Sequence, residues 1–244
     1  MPNTKITKTK WKLHMQYAKR VYIILIVAGI LAGSALFSMT APQTANINKV
    51  DVYVVEANVK PEGLSDVAAQ ALLDGQAYEM KRDAENGVDT AAEDYAPMLK
   101  EVNIYSILFD EDNDDGYGGQ AYMTRIMTME GDIFIVTSGQ FDGLVNMGAV
   151  LPLDGYIESG VIRPGDRDLN RATYPEYVDE DEEPTGRVCV YGLQCKPMAD
   201  KLLEMGGFVA DDMYMVIMNY CENPDTAAAV MQSMIDQLDS EAAE

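Results

Sequence analysis

The sequence predicts an α/β fold: a mainly parallel sheet with helices on both faces, preceded by one transmembrane helix. Three observations predict it. Short β-rich apolar runs recur between residues 50 and 219, with helix-periodic segments between most of them, the pattern of strands joined by crossover helices. The first such run, Val50 to Val55 (VDVYVV), is mostly apolar on both alternating sides, as a strand covered on both faces must be. Val21 to Ala41 contains no charged residue at all.

That uncharged run comes first in the chain. At ~1.5 Å per residue it spans roughly 30 Å, the hydrocarbon thickness of a bilayer. Six of the 18 basic residues precede it (Lys5, Lys8, Lys10, Lys12, Lys19 and Arg20), and no acid occurs before Asp51. The positive-inside rule then assigns residues 1–20 to a cytoplasmic tail, 21–41 to the bilayer, 42–49 to a polar spacer and 50–244 to an extracellular domain. A cleaved signal peptide is the rival reading. Its apolar core is ordinarily about 7–15 residues long and ends in a small-x-small site. Here the run is longer and Ser38-Met39-Thr40-Ala41-Pro42 makes a poor cleavage site, which favours an uncleaved anchor. Leu31-Ala32-Gly33-Ser34 has the form of a lipoprotein box with serine in place of the lipidated cysteine. Without the thiol no thioether to lipid forms, and small residues in a membrane helix account for it.

Beyond the spacer, Val50 to Val55 is strand one. Ser65 and Asp66 open a helix that sets Ala68, Ala71 and Leu72 on one face. Gly75 weakens that helix, which ends there or continues with a break to about Arg82; Glu85-Asn86-Gly87 is a turn. Glu101 to Phe109 is strand two. Gln120 to Met129 is a helix with Tyr122, Ile126 and Met129 on its inner face. Asp132 to Val136 is strand three, followed by the small residues Thr137, Ser138 and Gly139 and a helix from about Gln140. Glu158 to Arg187 is polar and aperiodic and includes five consecutive acids, Asp179 to Glu183. Val188 to Leu193 and Met213 to Asn219 are strands four and five. The last helix is the best signalled: Asn223 caps it, Pro224 fits its first turn, and Asp225 complements its dipole. Val230, Met231, Met234, Ile235 and Leu238 form its buried stripe.

Charge and residue type exclude several functions. After residue 48 the chain carries 12 basic against 40 acidic residues, a formal net charge of −28. Such a field repels nucleic acid and anionic headgroups. The only histidine, His14, precedes the membrane run, so the outer domain has no Ser-His or Cys-His pair and no histidine zinc ligand. The acidic loop Asp110 to Gly116 (DEDNDDG), aligned as an EF-hand with Gly116 at position six, puts Tyr122 where the bidentate glutamate belongs. No metal and no cofactor is expected. Gly116-Tyr117-Gly118-Gly119 is neither a dinucleotide fingerprint nor a P-loop. An extracellular hydrolase using two carboxylates is the remaining enzymatic reading, but in so acidic a chain no carboxylate pair stands out. Cys189, Cys195 and Cys221 cannot all pair within one chain. Cys195 with Cys221 is the pair to consider, and buried free thiols are the equal alternative. Sixteen methionines suit core filling.

Three motifs, in order, carry a resemblance. They are Gly131-Asp132-Ile133-Phe134-Ile135-Val136 followed by Gly148-Ala149-Val150-Leu151-Pro152-Leu153-Asp154, then Val190-Tyr191-Gly192-Leu193, then Asn223-Pro224-Asp225-Thr226-Ala227. In this the chain resembles the extracellular solute-binding proteins of bacterial ABC importers, across about residues 50–240. The resemblance departs at Gln194, where that family usually has proline, and in length: about 200 outer residues leave room for one lobe, where those proteins have two. It implies a periplasmic-binding-protein-like single lobe acting as a membrane-anchored, non-catalytic binding module. Its implied partners are a small polar solute or an envelope protein such as a permease. The alternative is an envelope structural or interaction protein that has lost solute binding. Ligands in open α/β sheets meet the carboxyl ends of strands. The candidate ligand-binding residues are therefore Glu56 and Asn58 after strand one, Asp110 after strand two, and Ser138, Gly139, Gln140 and Phe141 after strand three. Helix-start N–H groups there suit a polar or anionic group, and Phe141 offers a ring for a sugar.

Overall fold

β-branched residues fill the strands and helix formers the segments between them. The computed structural model describes residues 21–34, 44–55, 61–107, 117–176, 185–195 and 212–239. The chain divides into two compact units, Met1–Gln43 and Thr44–Glu244. In the first unit residues 21–34 are helical (α1). At ~1.5 Å per residue this described part covers about 21 Å. No helix among the described residues is long and apolar enough to cross a membrane, and residues 35–41 of the uncharged run lie outside them.

The second unit runs β1 (Lys49–Val55), α2 (Pro61–Glu85), β2 (Glu101–Ile107), α3 (Tyr117–Met127), β3 (Ile133–Thr137), α4 (Ser138–Asn146), α5 (Asp154–Glu158), β4 (Thr173–Pro175), β5 (Val188–Val190), β6 (Leu193–Gln194), β7 (Met213–Ile217) and α6 (Pro224–Asp239). Five strands make the central sheet, in the order β2-β1-β3-β7-β6. β1 pairs parallel with β2 and β3, β7 lies antiparallel to β3, and β6 lies antiparallel to β7. Four of the five strands therefore point one way and β7 alone is reversed. The sheet is mostly parallel, as its apolar strands predict.

Alternation sorts the side chains between two layers. Val50, Val52, Val54, Ile133, Ile135, Met213, Met215 and Ile217 face α2 and α6. Tyr53, Val55, Phe134, Val136, Tyr214 and Val216 face α3 and α4. The strand order explains why both faces are covered. From β1 the chain steps one way to β2 through α2, then back past β1 to β3 through α3. Crossovers of one hand that step in opposite directions put their helices on opposite faces.

Three expectations are corrected here. The run 188–193 is two strands, not one: β5 pairs with β4 in a separate ribbon, and β6 joins the main sheet. The break falls at Gly192, where a Cβ would stand 3.0 Å from Phe141, 3.1 Å from Val216 and 3.2 Å from the Met215 carbonyl; only glycine lets the chain change sheets this close to β7. α2 does not break at Gly75 but continues to Glu85. A Cβ at Gly75 would lie 2.6 Å from Leu99 and 3.2 Å from Val230, so the glycine is where α6 closes on α2. Met129 is not on the inner face of α3: it is exposed and left-handed, with φ 54°, because it turns the chain into β3. Of the two readings left open for the cysteines, the free-thiol one holds: Cys189, Cys195 and Cys221 are all unpaired.

The stripe on α6 is buried at every one of its five named positions. So are Gln232 and Ser233, which puts α6 within the packed layer rather than on its surface.

Candidate functional site

Where a sheet's chain path reverses direction, adjacent strand ends splay and leave a crevice at the carboxyl side. Here the reversal is at β1: its successor β2 lies on one side and β3 on the other. The switch point of the strand order therefore lies between the end of β1 at Val55 and the end of β3 at Thr137. β7 starts beside it, because it runs antiparallel to β3 with Thr137 opposite Met213.

The turn from β3 into α4 is held by a capping box. The Thr137 N–H donates to Gln140 Oε1 at 3.2 Å, and the reciprocal arm from the Gln140 N–H to the Thr137 side chain completes it. Threonine at N-cap with glutamine at N3 is the sequence form of that box. The Ser138 N–H donates to the Asp212 carbonyl at 3.0 Å, which ties α4 to the start of β7. Gln194, at the end of β6, donates from Nε2 to Asp212 Oδ1 at 3.1 Å. The carboxyl end thus brings Ser138, Gly139, Gln140, Asp212 and Gln194 together.

These contacts sort the candidate residues. Glu56, Asn58 and Asp110 lie outside the described residues. Ser138 is half-buried and Gly139 exposed, with open space where a Cβ would stand. The Gln140 carboxamide oxygen is occupied by the cap. Phe141 does not present a ring to solvent: it is 1% exposed. One face stacks on Tyr214 at 4.6 Å, and Tyr174 meets its edge at 5.6 Å. The ring supports the turn from below, on the buried stripe of α4 that Phe141 shares with Leu144 and Val145. Asp212 and Gln194 are the residues that sequence reasoning passed over. An aspartate before a strand does not stand out among 40 acids, and Gln194 entered only as a departure from a motif.

Around this end the tyrosine hydroxyls are held protonated. Burial pushes Tyr214 up, and Asp212 beside it adds to the shift. Burial and the hydrogen bond to Asp142 push Tyr174 up to about 12. Burial likewise lifts the Cys195 thiol to about 12 and raises Cys189 and Cys221. These thiols are poor nucleophiles at neutral pH. Among the described residues no three His, Cys, Asp or Glu side chains cluster to hold a metal ion.

At the opposite, amino end of the strands polar contacts tie β1 to its neighbours, and a cavity of about 860 Å³ lies beside the Leu151-Pro152 turn, lined also by Tyr78, Arg82, Tyr156 and Asp225. Asp51 Oδ2 accepts from Lys49 at 2.6 Å and Asp51 Oδ1 from Asn103 at 3.0 Å. The Asp51 N–H donates to Asp132 Oδ2 at 2.9 Å. Burial holds the Asp132 carboxyl above its ordinary range despite the bond from the Asp51 N–H. The Pro152-Leu153-Asp154 turn is a further fastening: the Leu153 N–H donates to the Val190 carbonyl at 2.7 Å, and Asp154 Oδ2 accepts from the Val190 N–H at 3.0 Å.

The strand order defines a doubly wound α/β domain with its switch point between β1 and β3. No protein-family model and no curated protein matches the chain. Among solved structures it is similar to an ABC substrate-binding protein from Listeria monocytogenes in complex with cycloalternan, at 17% identity and a TM-score of 0.35, over 63% of this chain and 32% of that one. It is also similar to an extracellular solute-binding protein family 1 member from Alicyclobacillus acidocaldarius, at 11% identity and a TM-score of 0.31, over 62% and 29%. The chain spans about a third of the length of these structures.

Proposed function

We propose that residues 50–244 form a non-catalytic binding module on the outer face of a cell membrane, anchored through residues 21–41 with the basic tail in the cytoplasm. Its ligand is a small polar solute taken at the crevice between β1 and β3. One observation supports this reading: the strand order reverses at β1, and doubly wound sheets bind ligands at the carboxyl ends of the strands beside such a reversal. Glu56 and Asn58 follow β1 in sequence, and Ser138 and Gly139 follow β3. The three ordered solute-binding-protein motifs support the same reading. The anchor is supported by the 21-residue uncharged run and the six basic residues before it.

Residues 50–244 by themselves offer one lobe, which covers a ligand on one side. The affinity for free sugars, amino acids or short peptides is then no tighter than roughly 0.1–1 mM, or about 4–5.5 kcal/mol. Calorimetry across a solute panel tests this. Weak binding that Gly139→Trp abolishes is the expected result, and a panel with no binder overturns the solute reading. Protease added to intact cells tests the anchor. Digestion of the acidic domain with a membrane-embedded remnant is expected; a mature protein in the medium that begins after residue 41 overturns it.

A further inference from the structure

β2 ends the strand order of the central sheet, and among the described residues no strand pairs with its outer side. The outward N–H and C=O groups of an edge strand are a template for another strand. Two grooves flank this edge. On the α2 side, a groove of about 450 Å³ runs between Leu64, Ala68 and Leu72 and the strand residues Val102 and Ile104. On the α3 side, a groove of about 530 Å³ is lined by Tyr53, Tyr105, Tyr117 and Arg125. Side chains of an added strand alternate in direction, so one set would enter the aliphatic groove and the other the aromatic one.

Charge selects the second set. Glu101 and Tyr105 are both exposed and, two pleats apart, share the α3 side. Tyr105 stacks one face on Tyr53 at 5.1 Å and remains 44% exposed. A basic side chain suits both positions, as the cross-strand partner of Glu101 and as a cation over the Tyr105 ring. Of the neighbouring cations, Lys49 pairs with Asp51 at 2.6 Å and Arg125 with Glu130, and Lys100 turns away to the Pro97 carbonyl; Glu101 itself accepts only from the Thr44 hydroxyl among the described residues. The formal charge of −28 after residue 48 attracts such a segment and repels a second copy of this chain.

We propose that the β2 edge binds an extended segment of another protein as an added strand. The residues of that segment alternate between small aliphatic, toward α2, and basic, toward Glu101 and Tyr105. The site is separate from the β1–β3 crevice and does not depend on solute binding.

The test uses the full-length chain and two blocked peptides of seven residues, the length of β2. One alternates lysine and valine; the other has the same composition with its lysines grouped. At physiological salt the alternating peptide should bind at least about tenfold more tightly, a difference set by strand geometry because charge is equal. Glu101→Lys, an exposed change that leaves the far-ultraviolet spectrum intact, should weaken it by about fivefold or more. Hydrogen exchange with the alternating peptide bound should slow at the amides of residues 101–107. Equal binding of the two peptides, no binding, or protection elsewhere would each overturn the proposal. So would sedimentation of the peptide-free chain as a dimer that Glu101→Lys dissolves, since the edge would then belong to a second copy.

Discussion

The two faces of the central sheet are packed by opposite means. On the α2–α6 face the side chains are aliphatic, and the helices meet where Gly75 presents no side chain to Leu99 and Val230. The carboxyl group of that layer, Glu79, is 0% exposed. It accepts from the Leu99 N–H at 2.9 Å, Asn223 Nδ2 at 3.2 Å and the Thr226 hydroxyl at 2.8 Å. On the α3–α4 face the layer is aromatic. Tyr53, Phe134 and Tyr122 form one group of rings and Phe141, Tyr174 and Tyr214 another. Polar atoms reach partners at its rim, as Tyr174 does with the exposed Asp142. The difference teaches that the first face has little tolerance for added volume or a lost polar partner, while the second depends on the bulk of its rings.

The largest expected effect tests that second dependence. Phe141→Ala removes a buried ring and should cost about 3–5 kcal/mol, read by denaturant titration; a cost below about 1 kcal/mol would mean the aromatic layer collapses to fill the gap. Next comes Glu79→Ala, which strands three donors in a dry layer. At ~1–3 kcal/mol for each unsatisfied group, partly relieved by relaxation, it should cost about 3 kcal/mol. Thr226→Val should recover part of that loss in the double variant, because one stranded donor disappears with it. Gly75→Ala sets a small overpacking cost, about 1–3 kcal/mol, against the ~1 kcal/mol that alanine gains over glycine in a helix. A net loss of about 1 kcal/mol is expected, and a net gain would show that Leu99 moves aside freely.

The smallest effect pairs with Glu79. Tyr174→Phe also breaks a hydrogen bond to a carboxyl group, but at the rim, where water replaces the partner. It should cost less than about 1 kcal/mol near pH 7. Its signature is alkaline. The Tyr174 hydroxyl is raised to about 12 from an ordinary 10.0, so the folded protein holds that proton longer than the unfolded chain. The associated stability is fully present below pH 10 and is lost as pH rises through about 12. Alkaline unfolding followed by circular dichroism should therefore show a shallower loss over that window in Tyr174→Phe than in the parent.

Much of this architecture is legible from local pattern. Val50–Val55 reads as a two-faced strand because both its sides are apolar, and α6 reads end to end because cap, proline, acid and stripe agree. The β3–α4 turn reads from its small residues and Gln140. What stayed hidden depends on residues far apart in the chain. Nothing in Met213–Ile217 marks it as the reversed strand, since strand direction is set by where the chain arrives rather than by composition. Gly75 and Gly192 read locally as a weak helix position and a strand interior; their meaning comes from Leu99, Val230, Phe141 and Val216, which only the fold brings near. Glu79 looks like any helix-surface acid until α6 covers it. At the site, the burial of Phe141 follows from the helix phase relative to the sheet, which begins only once the N-cap is fixed.

The three donors that satisfy Glu79 have a consequence for biosynthesis. Two of them lie 144 and 147 residues downstream of it. β7, which sits between β3 and β6, is also made late. A growing chain can therefore form the β1–α2–β2 unit early but cannot seal it. Until the final helix leaves the ribosome, the face of α2 that will be buried remains exposed with its acid in water. Native contacts separated so far in sequence delay closure, which leaves the polypeptide loose during synthesis. Ribosome-bound chains stopped before Pro224 should accordingly be digested by brief protease treatment throughout residues 61–107, and release of the full chain should protect that segment.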